Sequence, residues 1–109
     1  FNTSYLFDKC GKIIAKHRKM HLFDIDVKDK ITFKESDVLT AGNEFTLADT
    51  EFGKIGIGIC YDVRFPELAR IMVENGALIL FYPGAFNMTT GPAHWQLLFR
   101  SRALDNQVY

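Results

Sequence analysis

Ile55-Gly56-Ile57-Gly58-Ile59-Cys60-Tyr61-Asp62-Val63-Arg64-Phe65-Pro66-Glu67-Leu68-Ala69 is the stretch whose reading decides the fold. Three isoleucines alternate with two glycines, the period of two that a strand requires. Two glycines on one face of that strand predict close approach of another backbone. Cys60 follows the strand directly, and a tight polar turn leads to Pro66. Proline suits the first helical position, where its missing N–H is not needed. From Phe65 the apolar residues Leu68, Ala69, Met72 and Val73 recur at helical spacing, and Gly76 supplies a stop. A strand-to-helix turn holds a side chain rigidly, with backbone N–H groups able to face a developing oxyanion. Cys60 is therefore a candidate nucleophile. The alternative is a buried structural cysteine, since free Cys is among the most buried residue types.

Downstream, residues 77–82 form a continuous apolar run, which suits a strand covered on both faces. Strand, helix and strand make a βαβ unit, whose crossover is expected to be right-handed. Residues 83–91 are a loop leaving the end of that strand, where open α/β sheets bind ligands. Pro92 opens a second helix with Trp95, Leu98, Phe99 and Arg102 on one face, and residues 107–109 read as the opening of another strand. Upstream, residues 44–50 read as a strand and 51–54 as a turn, so a hairpin precedes Cys60. Residues 2–7, 8–11 and 12–16 predict another hairpin, with Cys10 facing solvent in its turn. Residues 24–43 are polar and weakly periodic, and predict a long surface loop with one helical turn. Such loops are usually functional, and Glu35 lies in this one. The fold class expected is α/β, with residues 1–109 forming one domain.

The 109 residues suffice for one modest core, and 48% hydrophobic content excludes a disordered chain. The formal net charge of zero gives no reason to expect a nucleic acid or an anionic membrane as partner. No apolar run approaches the ~20 residues of a membrane span. Cys10 and Cys60 make no disulfide framework, so a reducing, cytoplasmic compartment is expected. His17 and His21 are four apart, a spacing that can place two metal ligands on one helix face. Arg18, however, stands where the zinc-protease pattern needs Glu, and the segment follows a strand. No metal and no cofactor are expected. Glu67 reads as structural, pairing with Arg64 or Arg70 at three-residue spacing. The chain opens at Phe1 without a methionine and ends in an incipient strand, so a fragment of a longer protein is expected.

Several segments carry a resemblance, in order and over essentially the whole chain. Residues 58–67, Gly-Ile-Cys-Tyr-Asp-Val-Arg-Phe-Pro-Glu, resemble the cysteine motif of the nitrilase, or carbon–nitrogen hydrolase, superfamily. Residues 16–23, Lys-His-Arg-Lys-Met-His-Leu-Phe, resemble its lysine motif. Residues 82–95, from Tyr82 to Trp95, are most similar to the omega-amidase branch, and residues 100–109 match the segment that usually follows.

The resemblance implies part of an α-β-β-α sandwich, incomplete at both ends, with a Glu–Lys–Cys site. Cys60 matches the nucleophile and Lys19 the catalytic lysine, with Lys16 a competing candidate. Glu35 matches a second glutamate that supports the lysine and the substrate. A thiolate would attack the amide carbon, expel ammonia and leave a thioester for water to hydrolyse. The implied substrate is a small-molecule amide, foremost a dicarboxylic acid monoamide. The alternatives are a carbamoyl amino acid or a deaminated peptide amide. From their positions, Tyr61, Arg64, Thr89 and Thr90 are the candidate substrate-binding residues, Arg64 as a cation for the substrate carboxylate. The family's general-base glutamate lies in an earlier segment, and no residue here corresponds to it. Glu35 and Glu67 do not take that role. Residues 1–109 alone are therefore expected to lack turnover, and a non-catalytic scaffold is a further alternative. The parent is expected to be at least a homodimer, its helices packing across a two-fold interface.

Overall fold

The isoleucine–glycine run is the middle strand of a three-stranded sheet in the computed structural model, which describes residues 1–109. β1 (Thr3–Phe7) and β2 (Ile13–Arg18) form an antiparallel hairpin, with a bulge between Leu6 and Phe7. β3 (Asp24–Val27) and β4 (Ile31–Lys34) form a second hairpin, followed by one 3-10 turn at Glu35–Asp37. β5 (Thr46–Thr50), β6 (Gly53–Ile57) and β7 (Ile79–Phe81) make the sheet in that order. β6 runs antiparallel to β5 and parallel to β7, pairing Ile55 with Ile79 and Ile57 with Phe81. Between β6 and β7 lie a 3-10 helix at Cys60–Arg64 and α1 (Pro66–Glu74). α2 (Gly91–Asn106) closes the chain.

The βαβ reading holds, and α1 starts and stops where Pro66 and Gly76 place it. Pro66 occupies the first turn, Asn75 is the C-cap, and Gly76 takes φ 96° just beyond it. Leu68, Ala69 and Met72 are the buried face of α1, and with Val63, Ala77 and Tyr82 they build the core. The two glycines of the isoleucine–glycine run admit side chains rather than a backbone. A Cβ on Gly56 would lie 2.8 Å from Leu80 Cδ2 and 2.9 Å from Met72 Sδ, and one on Gly58 would run into the Tyr82 ring. The expectation of a close backbone on that face is thus corrected: Met72 of α1, Leu80 of β7 and Tyr82 just beyond it lean their side chains into the glycine row.

Two further expectations are corrected. The segment 24–43 is not one long loop, because its first half is the β3–β4 hairpin. Its turn contains no glycine; Asp29 supplies the positive φ of 61° instead. Glu67 makes no ion pair, since Arg70 turns to Glu74 at 2.7 Å and Arg64 to His94. At the far end, the Tyr109 N–H donates to the Leu78 carbonyl at 3.1 Å, and the Leu80 N–H donates to the Tyr109 carbonyl at 2.8 Å. Residue 109 therefore lies along the edge of β7 that β6 leaves open, in keeping with the incipient strand expected there. No helix is long and apolar enough to cross a membrane.

Candidate active site

Cys60 sits where the extended backbone of Ile59 breaks into the 3-10 helix, and it does so at φ 47°. Left-handed backbone costs a residue with a Cβ of order 1 kcal/mol or more, so the neighbours must fix it. They do so on both sides. The Cys60 N–H donates to the Pro83 carbonyl at 2.8 Å, and the Gly58 N–H to the Phe81 carbonyl at 2.9 Å. The chain after β7 thus runs beside the cysteine. Gly84 is the closest point of approach, where a Cβ would stand 2.8 Å from Cys60 Cα. The sulfur itself is partly exposed and lies 3.7 Å from the Ala85 carbonyl. It is not a sequestered core thiol. Cys10 is exposed in its hairpin turn, as expected.

Lys19 follows β2 and is only 2% exposed. Its backbone is held from two directions, by the Asn2 carbonyl at 2.8 Å and the Gly42 N–H at 2.8 Å. Its ammonium meets Glu35 Oε2 at 2.6 Å, and the same oxygen accepts the Phe23 N–H at 2.8 Å. The counter-charge and the second donor offset the cost of taking both groups out of water. Lys16, by contrast, is an exposed residue of β2. The two candidate lysines thus differ in burial, Lys19 being enclosed and Lys16 open to solvent.

Lys19, Glu35 and Cys60 share a cavity of about 280 Å³ with Tyr61, Arg64 and Thr90. That volume suits a small molecule. Three more aromatic walls, Phe23, Phe33 and Phe86, were not singled out from sequence, nor was Asn87. Single aromatics in polar segments give no periodic signal. Asn87 organises the loop after β7, with Oδ1 accepting the N–H groups of Thr89 at 3.0 Å and Thr90 at 2.9 Å. Thr90 lines the cavity and Thr89 does not, so the pair of candidate threonines is split. The Arg64 guanidinium lies 5.3 Å from the Phe86 ring centroid and donates to His94 Nδ1 at 3.2 Å. A second cavity of about 370 Å³ also reaches Lys19, Glu35 and Cys60, from the side of Asn2, Thr3 and Ser4.

Behind the cysteine lies a residue the sequence reading passed over. Asp62 is fully buried and accepts from His17, His21 and the Ile59 N–H. Burial pushes its carboxyl up, but the bonds from His17, Ile59 and His21 outweigh that and hold it below the usual range. His17 and His21, weighed earlier as metal ligands, lie on β2 and the turn after it rather than on a helix. Both are spent on this carboxylate.

The chain matches the Carbon-nitrogen hydrolase family over residues 1–109. It is 59% identical over 109 residues to the bovine (Bos taurus) protein named omega-amidase NIT2, covering all of this chain and 40% of that one. Among solved structures, Saccharomyces cerevisiae Nit3, described as a member of branch 10 of the nitrilase superfamily, superposes with TM-score 0.86 at 53% identity. That match covers 99% of this chain and 36% of the yeast chain. A variant of a Nesterenkonia amidase, described as carrying the acetamide moiety of fluoroacetamide on its active-site cysteine, superposes with TM-score 0.77 at 25% identity. It is covered over 97% of this chain and 37% of its own. The chain thus spans little more than a third of the proteins it resembles. Within that span the likeness is continuous, and the mixed α/β arrangement around Cys60, Lys19 and Glu35 belongs to a member of the carbon–nitrogen hydrolase family.

Proposed function

We propose that the full-length protein hydrolyses the terminal amide of small dicarboxylic acid monoamides, as an omega-amidase does. One observation carries the reading: a strained, partly exposed thiol and a buried Lys–Glu pair converge on one small cavity. The names of the relatives and the cysteine adduct of the Nesterenkonia amidase support it. Cys60 Sγ, as thiolate, forms a bond to the amide carbon, and the carbonyl π electrons move onto oxygen. Lys19 and the Tyr61 N–H, in the first turn of the 3-10 helix, stabilise that oxyanion. Collapse re-forms the carbonyl and breaks the C–N bond, and the nitrogen leaves as ammonia with a proton from a general acid. Water then attacks the thioester, loses a proton to the same group acting as base, and frees the acid and the thiolate. Glu35 holds Lys19 and does not serve as that acid and base, which we assign to a carboxylate outside residues 1–109.

Arg64 and Thr90 are the residues to hold the free carboxylate of the substrate, with Tyr61, Phe23 and Phe33 packing its short chain. Because Arg64 has no carboxylate partner of its own, its charge is available to a ligand. The exposed Leu97 and Leu104 on α2 support an interface between two copies in a homodimer, which sedimentation would test. The two free thiols support a cytoplasmic setting. The deciding experiment is ammonia release by full-length protein from a panel of amides. Turnover is expected for dicarboxylic monoamides and is expected to vanish in Cys60→Ala; turnover that survives this change would overturn the reading. Arg64→Gln should raise KM for anionic amides ~10-fold or more and leave neutral amides unaffected, in line with a charge-assisted bond. Equal losses on both classes would make Arg64 structural.

A further inference from the structure

Asp62 takes no part in the chemistry above, yet its carboxylate gathers four donors. Oδ2 accepts the Ile59 N–H at 2.8 Å and meets His17 Nε2 at 3.2 Å. Oδ1 accepts the His21 N–H at 2.9 Å and meets His21 Nδ1 at 2.8 Å. The donors come from two separate segments. Ile59 precedes Cys60, whereas His17 and His21 flank Lys19 at two residues on either side. An ionised carboxylate only accepts, so both imidazoles donate to it. His17 is then fixed on its other nitrogen by Thr46 Oγ1 at 3.0 Å, and the His21 ring is stacked on Phe65 with centroids 3.6 Å apart. One buried carboxylate therefore ties the segment bearing the lysine to the turn bearing the cysteine.

We propose that Asp62 is a positioning residue that, through His17 and His21, sets where Lys19 stands in the cavity it shares with Cys60. Its third place in the 3-10 helix lets it reach back to the Ile59 N–H, as the acid of a capping box does, and so stabilises the strained cysteine. The same group then sets where the lysine stands. The main core, Val63, Leu68, Met72, Ala77 and Tyr82, is apolar and is assembled without it. Loss of Asp62 should therefore loosen the geometry between Lys19 and Cys60 before it unfolds the domain. Misplacement of a reacting group by about 1 Å can cost ~10²-fold in rate.

The proposal rests on Cys60 being the nucleophile, and its test reads the thiol directly. In the full-length protein, the rate of Cys60 alkylation by iodoacetamide would be followed from acid to alkaline pH, in wild type and Asp62→Asn. The amide nitrogen of Asn cannot accept, so one side of the clamp is released with little change in volume. A cooperative thermal melt would confirm folding. The expected result is an alkylation profile displaced to higher pH, with kcat falling ~10²-fold and KM held within about threefold. In a Lys19→Met background the same Asp62→Asn change should displace the profile no further, because it acts through the placing of the Lys19 charge. A folded Asp62→Asn protein with the wild-type profile, or a displacement that adds fully to that of Lys19→Met, overturns the proposal. Should Asp62→Asn fail to fold, His21→Ala decides, since this side chain is 27% exposed and its backbone N–H still reaches Asp62. The same displacement there supports the clamp, and an unchanged profile overturns it. If no amide releases ammonia, the functional reading fails while the alkylation profile still judges the clamp.

Discussion

The β6–α1–β7 unit and the β3–β4 hairpin both wall the same cavity, yet they are held by opposite means. In the first, Val63, Ala69 and Met72 have no exposed surface, and the strained Cys60 turn rides on that apolar base. In the second, every residue of β4 is exposed and only Ile25 of β3 is even half-buried. Polar bonds anchor the hairpin instead. The Glu35 N–H donates to the Phe23 carbonyl at 3.2 Å, Ser36 Oγ donates to Asp24 Oδ2 at 2.6 Å, and Glu35 is gripped by Lys19. The turn bearing Cys60 thus rests on non-directional burial, and only the strained residue itself is pinned by hydrogen bonds, to Pro83 and through Ile59 to Asp62. The glutamate's place comes from a few directional contacts, each of which matters singly.

Glu35→Gln is the substitution that should break this contrast most severely. It removes the counter-charge of a lysine that is 2% exposed. Breaking a buried pair from one side costs about 3–5 kcal/mol, and the partial exposure of Glu35 places the expected loss near the lower end. Denaturant unfolding of the full-length protein would measure it, alongside a kcat loss of ~10²-fold or more from a displaced Lys19. Unchanged stability would mean that the hairpin is held by something other than this pair.

Met72→Ala attacks the other region. Met72 is fully buried between β6 and α1, close behind Gly56. Truncation should cost about 2–4 kcal/mol, through lost burial and the cavity left behind. Ammonia release at a temperature where the variant is still folded should keep its wild-type KM. A large KM change with little loss of stability would show that the core steers the cavity directly, and the division of labour would fail.

What the sequence disclosed follows the same division. The βαβ unit was legible because each of its signals is local: alternation in β6, Pro66 at the helix start, Gly76 past its end. Lys19 and Cys60 stood out through motif resemblance, and burial then favoured Lys19 over Lys16. The β3–β4 hairpin was missed because its turn uses Asp29 in the left-handed region rather than glycine, and because exposed strands need no apolar alternation. Asp62 was missed because an acid in a polar turn looks the same whether it faces solvent or a pair of distant histidines. The Glu67 pairing failed for a related reason. Spacing on a helix permits Arg64 or Arg70 to reach it, but Arg64 finds His94 and Arg70 finds Glu74.

Phe33→Ala gives the smallest expected effect on stability and the sharpest separation of the two regions. Phe33 lies on β4, is half exposed, and meets Phe23 in a tilted arrangement with centroids 6.0 Å apart. It also lines the cavity with Cys60 and Arg64. If the hairpin is held by its polar anchors, deleting this ring removes cavity wall but little folding energy. The midpoint of denaturant unfolding should then shift by about 1 kcal/mol or less, as for surface positions outside the core. KM for a dicarboxylic monoamide should rise severalfold, since one apolar contact of methylene size or larger is worth ~10-fold, while kcat stays near wild type because Lys19 and Cys60 have not moved. A stability loss as large as that of Met72→Ala would place Phe33 in the core and erase the contrast. A fall in kcat with KM unchanged would instead mean that the hairpin's apolar face, and not Glu35 alone, sets the position of the lysine.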